Sequence, residues 1–450
     1  MKIHIKKHGH TLVNVNGFDI SEKKITFLFG ESGIGKSLAS RAFFGVLDTD
    51  EFAITIDDKP YDKYLEREEI ILQKINGFFV FQEPSTHLNP LVRLKTQMGE
   101  GSLSHIPLNY AELRTLWGGA DRMTIDEILN VFPTPYRPSG GEKQRILLAM
   151  AFKKISMLTG DINKALFVFD EPTGNLDNYY RNIVLNLLFE RYTTKKFTAL
   201  FITHDYTIVS RIFSNHSKIV PNISFKEMVL SNGNSIIRDF APTEFLEWLN
   251  NQIPPQIPVK TEYQNPIVTV QSRVRVHKRT LIFSSDPDGK KECTLTLSKS
   301  GIKYLKAPSG TGKTTLIKEL MGLIPTQDFK MTINGNNITH RTHRRFWQEN
   351  IWGKKMTMVF QHADEALNPN STVLDTFNGL PLKGESTLAI IQKYLKLLFE
   401  NAENRKFLNK KIHSLSCGQK QRLNLLRSLL LDTKIIFLDE PLNGIGRAHV

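Results

Sequence analysis

The sequence predicts an α/β chain of two tandem domains, each built on a mostly parallel sheet with an antiparallel β layer and an inserted helical segment. Three observations predict it. First, a β-prone run at residues 24–29 meets the glycine-rich turn Gly30-Glu31-Ser32-Gly33-Ile34-Gly35-Lys36-Ser37, which opens an amphipathic segment through Leu38, Ala42, Phe43 and Val46. Second, the apolar runs at 165–169 and 199–203 carry polar side chains only at their C-terminal ends, as central parallel strands covered on both faces do. Third, the same ordered set recurs in the second half of the chain.

Taken in order, residues 3–20 alternate apolar and polar side chains and predict short antiparallel strands joined by an Asn16-Gly17 turn. The Gly30–Ser37 stretch then reads as strand, phosphate loop and helix. Its glycines let backbone N–H groups converge on a polyphosphate, Lys36 supplies a point charge, and Ser37 Oγ can ligate Mg²⁺. A plain helix-entry loop has the same glycines, so the rest of the chain has to decide. Phe52, Ile54 and Ile56 alternate before a turn at 57–60. Residues 77–81 form a buried strand that delivers Gln82, whose amide either caps the strand or reaches a metal ion or an attacking water.

Residues of about 85–137 read as a helical insertion, ending at Pro138-Ser139-Gly140-Gly141-Glu142-Lys143-Gln144-Arg145. Ser-Gly-Gly at a helix start exposes N–H groups and the positive helix end, a second anion site; a generic N-cap explains the serine but not both glycines. The next apolar strand ends in Asp170-Glu171. Asp170 suits Mg²⁺ held through water, and Glu171 suits polarising the water that attacks a γ phosphate. The run at 199–203 delivers His204, which either serves the γ phosphate or is structural.

The repeat consists of a second loop, Ala307-Pro308-Ser309-Gly310-Thr311-Gly312-Lys313-Thr314-Thr315; a second glutamine strand ending in Gln361; a second helix start, Ser416-Cys417-Gly418-Gln419; and a second carboxylate strand ending in Asp439-Glu440. Lys36 to Asp170 spans 134 positions and Lys313 to Asp439 spans 126, so order and spacing agree to within loop variation.

With these motifs the sequence resembles the ATP-binding-cassette (ABC) ATPases over nearly its whole length, as two nucleotide-binding domains at 1–250 and 267–450 with a Pro-punctuated linker at 251–266 and helical subdomains near 85–137 and 362–413. The resemblance implies Walker A, Q-loop, signature and Walker B motifs in both halves, a D-loop aspartate at Asp177 and a switch histidine at His204. It implies ATP and Mg²⁺ as ligands, with Glu171, His204, Gln82, Glu440 and Gln361 in the catalytic set and Ser37, Gln82, Asp170, Thr314, Gln361 and Asp439 around the metal. Phe81-Gln82-Glu83-Pro84 followed by Leu88-Asn89-Pro90, and Phe360-Gln361 followed by Leu367-Asn368-Pro369, are similar to the oligopeptide, dipeptide and nickel importer ATPases.

That implies a cytoplasmic subunit peripheral on the inner face of the cell membrane, partnered by integral-membrane permease subunits and, through them, a solute-binding protein. It also implies an ATP-dependent intrachain sandwich, with the site of Lys36 closed by residues 416–419 and the site of Lys313 closed by 139–142. Cys417 replaces a signature glycine, Ala307 replaces the first loop glycine, and Gly446 stands at the second D-loop aspartate, so the two sites are expected to differ. Because Val450 aligns with Arg181, the position of a second switch histidine falls past Val450, and a shortened gene product or an incomplete sequence is expected, with a partner-completed half as the alternative.

Composition bounds the partners. No stretch approaches the roughly 18–20 continuous apolar residues of a membrane span. His8, His10, Asn14 and Asn16 interrupt what would be the apolar core of a signal peptide, and the two cysteines, Cys293 and Cys417, suit a reducing compartment. The net charge of +14 suits an anionic membrane face, nucleic acid or an acidic protein, or is a diffuse basic surface. The basic tract at 339–345 reads as a solvated loop. A soluble tandem ABC protein acting on ribosomes or nucleic acid is the rival reading, against which the short, mildly charged linker speaks, and a catalytically dead regulatory cassette fits only the second half.

Overall fold

A computed structural model describes residues 1–31, 33–100, 103–132, 140–159, 165–174, 176, 178–231, 234–251, 266–276, 279–286, 290–307, 311–324, 328–380, 387–399 and 405–441. The chain divides into two compact units, Met1–Pro254 and Pro255–Val450.

The first unit is organised by one ten-stranded sheet. Its strands are β1 (Ile3–Lys7), β2 (His10–Asn16), β3 (Ile25–Gly30), β4 (Ala53–Ile56), β5 (Lys59–Pro60), β6 (Phe78–Val80), β7 (Leu166–Asp170), β8 (Thr198–Ile202), β9 (Ile223–Ser231) and β10 (Asn234–Asp239), in the order β5-β4-β1-β2-β10-β9-β3-β8-β7-β6. The run β9-β3-β8-β7-β6 is parallel throughout. Every residue of β3, β7 and β8 is buried, because helices cover both faces and the apolar runs leave no polar side to present to water. Phe27, Phe29, Phe169 and Phe201 pack into the core on one face, and Leu28, Val168, Leu200 and Ile202 into the core on the other. Each buried Phe or Leu of this kind contributes about 1.5–3 kcal/mol.

The antiparallel strands continue this same sheet, joined to it where β10 runs parallel to β2. The β1–β2 turn is not at Asn16-Gly17. It falls at His8-Gly9, both with positive φ (49° and 80°), and Gly17 (φ 76°) instead ends β2. The two-residue loop that right-twisted strands favour needs left-handed residues at both central positions, and His8-Gly9 supplies them.

The helical insertion comprises Leu94–Gln97, Ile106–Leu116 and Arg122–Leu129 among the described residues. It is pinned by Lys153, fully buried on the Gly140–Met157 helix, whose Nζ donates to the carbonyls of Met98 and Leu103 and to Asn109 Oδ1. Burial holds this ammonium well below the usual lysine range, at about 8.

The second unit carries β11 (Pro266–Val270), β12 (Arg273–Val276), β13 (Arg279–Ile282), β14 (Leu295–Ser298), β15 (Lys330–Ile333), β16 (Asn336–Thr339), β17 (Met356–Val359) and β18 (Ile435–Leu438). Four form an antiparallel sheet in the order β14-β11-β15-β16, β12 and β13 a hairpin, and β17 and β18 a parallel pair. A separate apolar cluster around Leu367, Phe377, Leu395, Ile412 and Leu423 forms its helical part.

Residues 302–306, which correspond to β3, are not a strand, and Ile302 and Tyr304 are 94% and 83% exposed. In the first unit β3 is held between β8 and β9; among the described residues of the second unit no strand flanks this segment. A lone extended segment has no ladder to satisfy its N–H and C=O groups and stays irregular. The basic tract at 339–345 is a turn leading into an Arg344–Asn350 helix, where Arg345 pairs with Glu349 on the exposed face.

Candidate functional site

The glycine loop leaves the C-terminal end of β3 and turns into the Lys36–Phe44 helix, with Gly35 as its left-handed N-cap (φ 102°). Two glycines here are dictated by close approach. A Cβ on Gly35 would lie 2.5 Å from Val13 Cγ2 on β2, and one on Gly30 would lie 2.6 Å from the Met228 carbonyl on β9. Gly140 and Gly141 open the Gly140–Met157 helix. Ser32, Ser139, Asn175, Asp177, the 308–310 part of the second loop and Gly446 lie outside the described residues, as does the Cys417 side chain.

Lys36, only 4% exposed, donates Nζ to the carbonyls of Gly30 (2.8 Å) and Glu31 (2.6 Å). Burial pushes its ammonium below the usual lysine range, opposed by the charges of Glu171, Asp170 and Glu31. Ser37 Oγ donates to Asp170 Oδ1 at 2.8 Å. Asp170 is fully buried, and burial raises its carboxyl to about 6 against the Ser37 hydrogen bond and the Arg41 charge.

Sheet order assembles the remaining groups. β8, β7 and β6 are consecutive neighbours, with Asp170 level with Ile202 and Phe169 level with Val80. The residues just past these strand ends therefore arrive side by side: His204, Glu171 and Gln82. Gln82 Nε2 donates to Glu171 Oε2 at 3.0 Å, and His204 Nδ1 lies 3.0 Å from Glu171 Oε1. The Glu171 backbone is left-handed (φ 44°), held by its N–H to the Ile202 carbonyl. Such strain in a non-glycine residue costs on the order of 1–3 kcal/mol and persists where surrounding structure over-determines it. Burial would raise the Glu171 carboxyl, but the hydrogen bond and charge of His204 and the charge of Lys36 together hold it below the usual range. His204 is correspondingly raised, first by its hydrogen bond to Glu171.

The arrangement can bind an oxyanion at the loop, and its glutamate is placed to polarise a water. It also fits a hard divalent cation: Asp170 Oδ2 is buried without a hydrogen-bond partner, beside the oxygen of Ser37. No group of three His, Cys, Asp or Glu among the described residues could hold a metal by itself, so ligand oxygens would have to complete the shell.

The second unit repeats part of this. Lys313 Nζ donates to the Ala307 carbonyl (2.7 Å), Gln361 Nε2 donates to Glu440 Oε2 (2.9 Å), Glu440 is left-handed (φ 45°), and the buried Asp439 Oδ2 has no partner. Among the described residues Thr314 makes no bond to Asp439 and no histidine contacts Glu440. Thr311 precedes Gly312, the left-handed N-cap of the Lys313–Leu320 helix, and Thr315 lies in the first turn of that helix. Ser416 and Gln419 close a capping box on each other, Gln419 N–H to Ser416 Oγ (3.2 Å) and Ser416 N–H to Gln419 Oε1 (3.0 Å), which satisfies two helix-end donors internally.

Two structural devices escaped sequence reasoning. Gln144 Nε2 donates to the Phe81 carbonyl (3.4 Å) and Gln421 Nε2 to the Phe360 carbonyl (3.1 Å), tying the Gly140–Met157 and Cys417–Leu430 helices to the strands that deliver Gln82 and Gln361. Their identical place in Lys-Gln-Arg was the available signal. Arg181 pairs with Asp205, anchoring the residue after His204, and nothing local in the sequence announces that pair.

The ABC transporter family model matches residues 13–174 and 291–443. The chain is similar to the uncharacterized ABC transporter ATP-binding protein YejF of Escherichia coli (strain K12), 26% identical over 97% of this chain and 82% of that protein. It is also similar to the glutathione import ATP-binding protein GsiA of Escherichia coli (strain K12), 24% identical over 95% of this chain and 74% of that protein. Among solved structures, the complex of archaeal ribosomal stalk protein aP1 and archaeal ribosome recycling factor aABCE1 matches with a TM-score of 0.65 and 15% identity, over 98% of this chain and 79% of that one, which is a likeness of fold.

Proposed function

This chain belongs to the ABC transporter family and is an ABC-type ATPase, and on that premise we propose that it is the energy-coupling subunit of an importer for peptides, nickel or a related small solute. The observation that carries the catalytic part is Glu171, clamped between the Gln82 amide and the His204 ring at the mouth of the glycine loop. In the proposed mechanism the N–H groups of the loop (30–37) and the Lys36 ammonium bind the triphosphate. Glu171 accepts hydrogen bonding from the attacking water, while Gln82 and His204 fix its carboxylate. Asp170, Ser37 and Gln82 are the side chains that would hold Mg²⁺, which when bound neutralises charge on the β and γ phosphate oxygens.

We propose domains at 1–250 and 267–450 joined by 251–266, and that ATP closes residues 416–419 over the first site and 139–142, with Asp177, over the second. The importer reading is supported by the name of one relative aligned over 95% of this chain, a glutathione import ATP-binding protein, and by the Leu-Asn-Pro context after each Q-loop. Among the described residues no helix is long and apolar enough to cross a membrane, which fits a subunit peripheral on the inner face whose transport path lies in separate permease subunits linked to a solute-binding protein.

One observation favours the second reading, an ATPase acting on ribosomes or nucleic acid. The first unit carries 29 basic and 29 acidic side chains and the second 30 and 16, so the whole net charge of +14 belongs to the second. Affinity purification from detergent-solubilised source cells separates the two. Hydrophobic permease subunits in the eluate are the expected result; ribosomal RNA without them would overturn the importer reading.

A further inference from the structure

Three elements of the first unit meet on one guanidinium that the hydrolytic chemistry leaves unused. Arg145 lies in the second turn of the Gly140–Met157 helix and is 8% exposed. Its Cζ sits 4.2 Å from the ring centroid of Trp117 and 3.9 Å from that of Tyr180, while Nε and Nη1 are buried without a hydrogen-bond partner. Burying a cation without acceptors is unfavourable unless something else faces it, and here two aromatic faces do.

Each ring belongs to a different part of the unit. Trp117 is the C-cap of the Ile106–Leu116 helix in the helical insertion. Tyr180 lies in the first turn of the Asn178–Lys195 helix, nine residues after Glu171. The neighbouring turn is fitted to the same contact: a Cβ on Gly118, itself left-handed (φ 65°), would lie 2.9 Å from the Tyr179 hydroxyl. Tyr179 in turn packs edge-on against Tyr180 at 5.2 Å.

The repeat supplies an independent instance. Arg422 occupies the equivalent place in the second unit, with its Nε likewise buried and unpartnered and its Cζ 5.0 Å from the ring of Phe399, three residues past the Thr387–Lys396 helix. A buried arginine of this helix facing an aromatic ring from just past a helix of the insertion is thus present twice, with one ring in the second unit and two in the first.

We propose that Arg145 is a positioning residue: its clasp between Trp117 and Tyr180 locks the anion-facing signature helix and the helical insertion to the chain leaving Glu171, so that nucleotide engagement at one end of the unit and placement of Glu171 at the other move together. The proposal rests on the ATPase reading above. It requires the planar guanidinium, which stacks on two rings at once, and not merely a positive charge, so lysine is no substitute.

The test is steady-state ATP turnover by the full chain carrying R145K, Y180F, Y180L and the R145K/Y180L pair, with folded fraction checked by circular dichroism. R145K is expected to lower kcat per folded molecule about tenfold, the scale of one desolvated cation–π contact, with KM for ATP within about twofold of wild type. Y180F keeps the ring and is expected to keep wild-type kcat. Y180L is expected to match R145K, and the pair to be no worse than either single change. Wild-type kcat in R145K, equal losses in Y180F and Y180L, or multiplicative losses in the pair would overturn the clasp. Absent wild-type turnover would sink the ATPase reading instead. Unfolding midpoints of the same four variants then decide the clasp, non-additive shifts supporting it and additive shifts overturning it.

Discussion

Replacing Asp170 with Asn should make the nucleotide-free protein more stable while removing its response to magnesium and ATP. Burial lifts the Asp170 carboxyl from 3.8 to about 6, against the Ser37 hydrogen bond. A raised carboxyl means that the folded state binds more protons than the unfolded chain between these values. Stability therefore falls as pH climbs from about 4 to about 6, and the loss is complete above that. Across that interval the unfavourable burial of the charged form amounts to about 3 kcal/mol. The D170N amide keeps an oxygen for the Ser37 hydroxyl but leaves a buried NH₂ where Oδ2 already lacks a partner, which returns part of the gain.

A net stabilisation of about 1–3 kcal/mol at pH 7.5 is expected, closing to nothing as pH falls below about 4. The assay is urea unfolding of the chelated, ligand-free proteins, repeated with Mg²⁺ and ATP. Saturating ligand at about 1,000 times its Kd adds about 4 kcal/mol to a protein that binds it, so wild type should overtake D170N in that arm. A ligand-free D170N less stable than wild type at pH 7.5, or one equally stabilised at pH 4, would refute the reasoning.

The glycine loop gives a second prediction. G35A forces a Cβ to within 2.5 Å of Val13 Cγ2 at φ 102°, so it should destabilise the first unit by about 2 kcal/mol or more in the same unfolding assay and weaken ATP binding, with V13A partly restoring both. The His204–Glu171 pair gives a third. His204 is raised above 6.5 by that pair, so its stabilisation is present in full below pH 6.5 and disappears as pH rises through the raised value. Ligand-free H204Q should therefore lack a pH-dependent loss that wild type shows on the alkaline side of 6.5, and parallel pH profiles for the two proteins would count against the pair.

The parallel core was readable because its strands are uninterrupted apolar runs with one polar or acidic step at the end. Leu166–Asp170 and Thr198–Ile202 lie where the pattern put them, and adjacency of β8, β7 and β6 then brings His204, Glu171 and Gln82 together. The β1–β2 turn was missed because Asn-Gly is the stronger local signal, whereas the register that buries Ile3, Ile5, Val13 and Val15 requires the turn at His8-Gly9. Residues 302–306 stand in the place of β3 in the repeat yet form no strand: two lysines, Lys303 and Lys306, break the apolar run that β3 has, and strand formation depends on ladder partners that a local pattern cannot supply. The Arg181–Asp205 pair, the Gln144–Phe81 tie and the Arg145 clasp are contacts between residues 24, 63, 28 and 35 positions apart, set by tertiary packing.

The central claim is asymmetry between the two glutamates. Glu171 stands beside an Asp170 bonded to the loop hydroxyl of Ser37 and is itself held by Gln82 and His204, whereas beside Glu440 the loop hydroxyl of Thr314 makes no bond to Asp439 among the described residues. Turnover of ATP by E171Q and E440Q, measured side by side with equilibrium ATP binding, tests it most directly. E171Q should lose turnover by a factor of about 10² or more with binding retained, and E440Q should stay within about twofold of wild type. Unchanged turnover in E171Q, or a collapse in E440Q equal to that in E171Q, would contradict it.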